Sequence, residues 1–494
     1  MGGRRACAGS PGGRGLGLRA SPCGYDARVA GEDTDIGRRP ALLCLSPSFP
    51  PDTTPTAIRA GKLLGRLSRE WDVTVLTESA GPHPSAAVRV ETVASRAPRR
   101  LLALLRRLRL DKLLELLVWP DDSIFWVRPA IHAGRRLIAE RRPDAIVVFM
   151  MPYGGGLAGI ALSRAAGLPL ILNLDDSPTC TDMHPHFPSR LHHRLARRLE
   201  DRYVRRADAV VYVSARNLER VRSRQPESLR EKMHLVRYGA DREDFPPRPQ
   251  RPEGFEIAYA GAMSGWWSLL GEDGSDRLAS RLFGAWTRLG RHEVTQLDQR
   301  TSSPAVIGQA ILAAVARHPE WAGKVRLTIH GNPYPEALVA RALRSAGVES
   351  VVEVRGPVPH SEVAATLAEA DLLFLTLPGR VDGSPGGRIS AKTYEYLATD
   401  RPILAAVPPG ENRDYLSGKP GVWLLDPDDE QGMAAAIEEL AAAKFSGSPR
   451  TFDRSALHAE VSYRTRAEEL ASVVREAIAR RVAAERPQRL GATG

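Results

Sequence analysis

Short runs of five to seven apolar residues recur along this chain between longer stretches whose apolar positions return every three or four residues. The runs at 40–46, 73–77, 144–150, 169–174 and 209–214 show little alternation, the pattern of strands buried on both faces. The stretches at 56–69, 157–166, 190–206 and 217–224 carry the helical period. A further strand is expected at 234–238. The same grammar resumes with strands at 255–260, 325–330, 351–355, 372–377, 403–407 and 421–425. Helices are expected between and after them at 306–317, 336–345, 361–368, 433–443 and 462–481. Strand and helix in alternation predict an α/β protein with doubly wound sheets.

The chain has 494 residues, too many for one ordinary domain. The expected layout is a disordered leader over 1–38, a first domain over 39–245 and a linker over 246–254. A second domain over 255–460, a closing helix over 461–482 and a tail over 483–494 complete it. The leader is rich in Gly and Arg and lacks the apolar core of a secretory signal, so it reads as disordered or as lying upstream of the true start. The linker, PPRPQRPEG, is Pro-rich and charged. Residues 145–162 are uncharged and long enough to span a bilayer, but Pro152 and Gly154, Gly155 and Gly156 divide them, and strand, loop and helix is the better reading. The stretch 264–304, with Trp266, Trp267 and Trp286, has no clean period.

The most informative stretch is 370–409. A strand over 372–377 runs into a loop, 378–387, that holds four Gly and two Pro. Such a loop can lay backbone N–H groups against an anion. Ser390 can cap the helix that begins AKTYEYLA. A Gly-rich loop feeding a helix start beyond a strand is a phosphate site by its physics. Lys392 adds a mobile cation, and Glu395, one turn on, can accept hydrogen bonds from a ribose diol. The competing reading is that both belong to a solvated helix face.

Lys392, Glu395, Tyr396, Leu397 and Ala398, followed by Arg401, Pro402, Ile403 and Leu404, resemble the donor-site helix of the GT-B glycosyltransferases of family four (glycosyl transferases group 1). That helix usually carries two glutamates separated by seven residues. Glu395 matches the second, and the position of the first is Gly387. The opening unit around 45–52 and 71–77 and the passage Tyr238-Gly239-Ala240-Asp241 resemble the first domain of the same family. The resemblance implies two Rossmann-like domains facing a central cleft, with the last helix crossing back to the first domain. It implies donor contacts at Gly261, Gly331, Gly386, Gly387, Ser390, Lys392 and Glu395, and an acceptor on the first-domain side. The activity implied is transfer of a hexose from a nucleotide diphosphate sugar to a glycan or lipid-linked acceptor, with retention at the anomeric carbon. Cell-surface polysaccharide or glycoconjugate synthesis, on the cytoplasmic side of the cell envelope, is the setting. Rival readings are a sugar-nucleotide 2-epimerase of the same fold and a nucleotide-sugar-binding protein that has lost catalysis, the latter motivated by Gly387.

The strand over 169–174 ends in Asp175 and Asp176. Ligands of open α/β sheets bind beyond the carboxyl ends of strands, so Asp175, Asp176, His184 and His186 are placed to face a cleft, and the first three are candidate catalytic residues. His184, His186, His192 and His193 lack the carboxylate or Cys spacing of a metal site, and Asp426-Pro427-Asp428 sits in a strand-to-helix turn where a metal-binding reading is rejected. No metal and no cofactor are expected. Residues 99–118, RRLLALLRRLRLDKLLELLV, place Leu101, Leu104, Leu105 and Leu108 on one stripe among Arg99, Arg100, Arg106, Arg107 and Arg109. This helix can lie on an anionic membrane surface or pack on its own sheet. Net charge is +11, from 69 basic and 58 acidic residues. That permits phosphorylated or anionic partners, yet no aromatic-interleaved basic motif supports nucleic acid. The four Cys have no disulfide or zinc spacing, which favours a reducing cytoplasm.

Overall fold

The computed structural model describes residues 38–490 apart from 80, 82–86, 109, 181, 247–252, 264–285, 287 and 358. The expected leader but for Arg38, most of the expected linker, much of 264–304 and the tail beyond 490 lie outside the described residues. The first sheet contains β1 (Ala41–Leu45), β2 (Asp72–Thr77), β3 (Arg89–Thr92), β4 (Ala145–Met150), β5 (Leu170–Leu174), β6 (Ala209–Tyr212) and β7 (Met233–Leu235). It is fully parallel, in the order β3-β2-β1-β4-β5-β6-β7. The second contains β8 (Phe255–Ala260), β9 (Val325–His330), β10 (Val352–Arg355), β11 (Leu372–Thr376), β12 (Ile403–Ala406) and β13 (Val422–Leu425). It is also parallel, in the order β10-β9-β8-β11-β12-β13. Each sheet reverses direction beside its first strand, at β1/β4 and at β8/β11, where a doubly wound sheet opens its ligand crevice.

The central strands are buried along their whole length because helices cover both faces. On one face of the first sheet, Leu43, Ile146 and Val148 pack against Trp126, Leu137, Leu162 and Tyr203. On the other, Leu42, Cys44 and Val147 pack against Leu63 and Leu64 of the helix Pro55–Leu67 and against Leu470 and Val474 of the final helix, Tyr463–Leu490. The final helix therefore packs on the first domain. A third apolar cluster joins the two units: Val213, Tyr238 and Ala240 contact the group formed by Leu373, Tyr394, Tyr396 and Leu416.

Two local expectations fail. The helix Ile124–Arg141 is absent from the sequence reading, because Pro129 lies within it and its buried side is marked mainly by Trp126, Ala130, Ala133 and Leu137, not by a run of leucines. The single helix expected over 99–118 is two, Arg99–Arg107 and Asp111–Leu117. The described end of the unreadable stretch 264–304 is a strap between the domains. His292–Glu293 pairs antiparallel with His186–Phe187 of the first domain, and Leu297–Asp298 pairs with Gly379–Arg380 of the second.

Candidate active site

The donor-side residues gather at the carboxyl ends of β8, β9 and β11. Gly261 follows β8 at φ +139°, a conformation that L side chains rarely adopt. A Cβ there would come within 2.8 Å of the Lys392 Cε atom, so the lysine stem lies directly over the glycine backbone. The Lys392 ammonium stands 5.4 Å from the centre of the Tyr259 ring, a cation–π distance. Gly331 follows β9, with its backbone beside that of Gly261. Lys392 and Glu395 are one turn apart on the helix Ala391–Leu397, and both are half-buried. Ser390 stands at the helix start, but its side chain makes no capping bond. Instead Asn412 Oδ1 accepts from the Ser390 N–H at 3.0 Å and from the Thr393 hydroxyl at 2.6 Å. The start of this helix is thus held by a side chain from the second crossover, which the sequence reading did not single out.

Gly386 and Gly387 meet the first domain. A Cβ on Gly387 would lie 2.6 Å from Asn217 Oδ1, so any side chain at this position requires Asn217 to shift. The Gly387 carbonyl accepts from the Ser214 hydroxyl at 2.7 Å and from the Asn217 amide. A carboxylate nevertheless reaches this place: Asp182 Oδ2 accepts from the Gly387 N–H at 2.6 Å and the Arg388 N–H at 3.1 Å. Its other oxygen accepts from Arg380 Nε at 2.7 Å. Asp182, Asn217 and Asn412 were not legible as site residues, because no local pattern marks them and their partners are far away in the chain.

The two adjacent aspartates part company. Asp175 does not open onto the cleft, which corrects the expectation that it does so. It is 2 % exposed and is bound by Arg59 at 2.9 Å, Tyr238 at 3.0 Å and Asn173 at 3.2 Å. Burial nonetheless pushes its carboxyl upward against the pull of Arg59. Asp176 emerges from the strand on the side of Asp182 and Arg388. Burial first, then the charges of Asp175 and Asp182, raise its pKa to about 6, with Arg388 opposing them. A mostly buried carboxyl with its pKa raised to about 6, within electrostatic reach of Arg388 from the other domain, is a candidate acid–base group.

His184 Nε2 lies 2.9 Å from the Tyr153 hydroxyl, and burial lowers its pKa, so its imidazole is neutral at pH 7. It lines a cavity of about 170 Å³ with Tyr153, Trp119 and His192. His186 links that cavity to a larger one of about 990 Å³, walled by Glu78, Arg99, Arg106, Glu115, Asp122 and Pro152. Cys180 is no nucleophile, since burial and the nearby Asp176 push its thiol up to about 11. Asp426 of the rejected metal motif pairs with Arg413 at 2.9 Å. Among the described residues no group of three or more His, Cys, Asp or Glu side chains converges.

Comparison with known proteins follows this geometry. Residues 57–239 match the glycosyl transferase 4-like domain, and residues 296–443 match the glycosyl transferases group 1 family. A 94-residue stretch is 33% identical to a protein of Salmonella typhimurium assigned to colanic acid biosynthesis as a glycosyltransferase. That stretch is 19% of this chain and covers only 23% of the relative's length. Among solved structures, Anabaena HepE in complex with UDP and glucose superposes with a TM-score of 0.55 at 14% identity, over 88% of this chain and 99% of that one. Sucrose-phosphate synthase of Thermosynechococcus elongatus gives 0.52 at 14% identity, over 92% and 100%. At such identities the likeness is one of fold.

Proposed function

Since the chain belongs to the group 1 glycosyltransferases of GT-B fold, we propose that it moves a hexose from a nucleotide diphosphate sugar to a glycan or lipid-linked acceptor. The observation that carries this reading is the meeting of Lys392, Gly261 and Gly331 at the strand ends of one domain, while Asp176 of the other domain lies within electrostatic reach of Arg388. The bond from the anomeric carbon to the diphosphate breaks, and a bond to an acceptor oxygen forms. Negative charge grows on the leaving diphosphate, where Lys392 and Arg388 stabilise it without a metal ion. Asp176 takes the proton of the acceptor hydroxyl. Glu395 holds the ribose of the donor. The family resemblance and the bound UDP and glucose of the Anabaena relative support a nucleotide sugar donor, and the family resemblance supports retention at the anomeric carbon. The cavities around His184 and His186, beyond the carboxyl ends of the first domain's strands, are the acceptor side. A role in cell-surface polysaccharide synthesis is consistent with the Salmonella relative.

The direct test is release of nucleotide diphosphate from a panel of nucleotide sugars, with a chelator present throughout. Turnover with one sugar is expected. Loss of turnover to chelator and its return with manganese would show that the reaction needs a metal. Glu395→Ala should weaken nucleotide diphosphate binding by roughly 1.5–3 kcal/mol, the value of a hydrogen bond to a charged group. Unchanged affinity by calorimetry in a folded variant removes Glu395 from the donor site.

The setting of the acceptor follows from the helices Arg99–Arg107 and Asp111–Leu117. Leu101, Leu104, Leu108 and Leu117 are exposed, and Leu117 is 71% so, while Leu102 is the one leucine of this pair fully buried. Arg106 and Arg107 are exposed beside them. Among the described residues no helix is long and apolar enough to cross a membrane. The helix pair serves as a reversible contact with an anionic membrane surface, at about 1 kcal/mol per Arg and screened by salt. Wild-type protein should sediment with anionic vesicles at low salt and be released at high salt. Changing Arg106, Arg107 and Arg109 together to Glu should abolish sedimentation. Wild type left in the supernatant at low salt points to a soluble acceptor.

A further inference from the structure

Two buried carboxylates cross between the domains in opposite directions. Glu411 of the second domain reaches the start of the helix Ala215–Arg222 in the first, where it accepts from the Ala215 and Arg216 N–H groups at 2.8 Å each and from the Ser214 hydroxyl at 2.6 Å. Arg237 completes its set. This is a helix cap supplied from another domain, added to the Ser214 hydroxyl, which accepts from the Asn217 N–H at 3.0 Å.

Asp182 of the first domain is seated differently. Its hosts are the N–H groups of Gly387 and Arg388 and the guanidinium of Arg380, three donors converging on one anion. Arg380 and Gly387 lie in the glycine loop 378–387, where the family resemblance puts donor contacts, and Arg388 directly follows it. The Gly386 position touches the same carboxylate, with Asp182 Oδ2 3.2 Å from where its Cβ would be. Asn412, 2 % exposed, lines the same small cavity as Asp182, Gly386 and Arg388. Its side-chain nitrogen is buried without an acceptor. A buried amide donor left unsatisfied beside an anion-binding loop points to a further acceptor atom that belongs there. The seat is also a crowded one, since Asp176 and Asp182 repel each other across it.

We propose that Asp182 is an internal anion: in the empty enzyme it occupies donors on the loop that the substrate's phosphoryl or hydroxyl oxygens use, and it must leave when the nucleotide sugar enters. Asp182 is then a positioning residue that holds the two domains together in the ligand-free state. Donor affinity is scaled down to the fraction of molecules in which the seat is empty. This rests on the reading of the loop 378–387 and Arg388 as part of the donor site.

The inference has a sign that a plain binding residue lacks. In the full-length protein, Asp182→Asn should bind uridine, guanosine or adenosine diphosphate more tightly than wild type does, by about five- to tenfold for the nucleotide that binds best. Hydrogen exchange at the 387 and 388 amides of the free enzyme should be slow in wild type and faster in Asp182→Asn. Lys392→Ala serves as the control for the site and should weaken binding in both backgrounds. If Lys392→Ala weakens binding but Asp182→Asn leaves it unchanged or weaker, the internal-anion role is overturned while the donor site stands. If neither wild type nor Asp182→Asn binds any of the three nucleotides, the donor-site reading fails and this inference with it. A thermal melt of Asp182→Asn matching wild type excludes simple misfolding as the cause of any loss.

Discussion

Asp175→Ala should cost about 3–5 kcal/mol of folding stability, the usual penalty for stripping one partner from a buried ion pair. Arg59 is fully buried, and its guanidinium is held by Asp175 at 2.9 Å and by the Val236 carbonyl at 2.8 Å. Without Asp175 the positive charge stays inside with one neutral acceptor, and the Tyr238 hydroxyl also loses its partner. Denaturant unfolding should show the midpoint falling with the slope unchanged, because the surface exposed on unfolding is the same. Replacing both partners with apolar residues of similar size should restore much of the loss, since desolvating the pair is itself expensive. A midpoint equal to that of wild type in Asp175→Ala would falsify the structural role.

The neighbouring substitution should behave in the opposite way. Asp176→Asn is expected to lower kcat by about 10²–10⁴-fold, the range for losing a positioned acid–base group, while raising stability at alkaline pH. The sign follows from its pKa of about 6, above the ordinary carboxylate value because of burial and the nearby Asp175 and Asp182. A raised folded-state pKa means that the folded protein holds the proton more tightly than the unfolded chain does. The stability this contributes is complete below the unfolded value and is lost as pH rises through about 6. Asparagine removes that loss, which is on the order of 3 kcal/mol at pH 8. Activity runs the other way, because the base works only when ionised, so kcat/KM should rise through an apparent pKa near 6 in wild type. A wild-type profile flat from pH 5 to 8, or an Asp176→Asn enzyme with full turnover, removes Asp176 from the chemistry.

The contrast between these two residues marks where sequence reading stops. Both follow the same strand and carry the same functional group, and the sequence places both at the crevice. Successive side chains of an extended chain point to opposite sides. Which side faces Arg59 and which faces Arg388 is settled only by what packs against β5. His184 is a similar case. Its place beyond a strand end is readable, but its partner Tyr153 comes from the loop after another strand.

What the amino-acid order determined by itself is local. Continuous apolar runs specify strands buried on both faces, and their alternation with helical periods specifies doubly wound sheets. The sequence also placed the glycine loop ahead of the helix that carries Lys392 and Glu395, because turn residues and helix starts announce themselves within a few positions. Tertiary structure alone decided the rest. Gly387 stands where the family carries a glutamate, and Asn217, 170 positions away, packs against it and bonds its carbonyl. The carboxylate at that loop comes from Asp182, 205 positions away. Leu101, Leu104, Leu108 and Leu117 face outward while Leu102 is buried, although their spacing would equally suit a helix packed inward. Spacing along a chain fixes the direction of a side chain relative to its own element. The partner it meets depends on how two domains come together, and that information is spread over residues that share no local pattern.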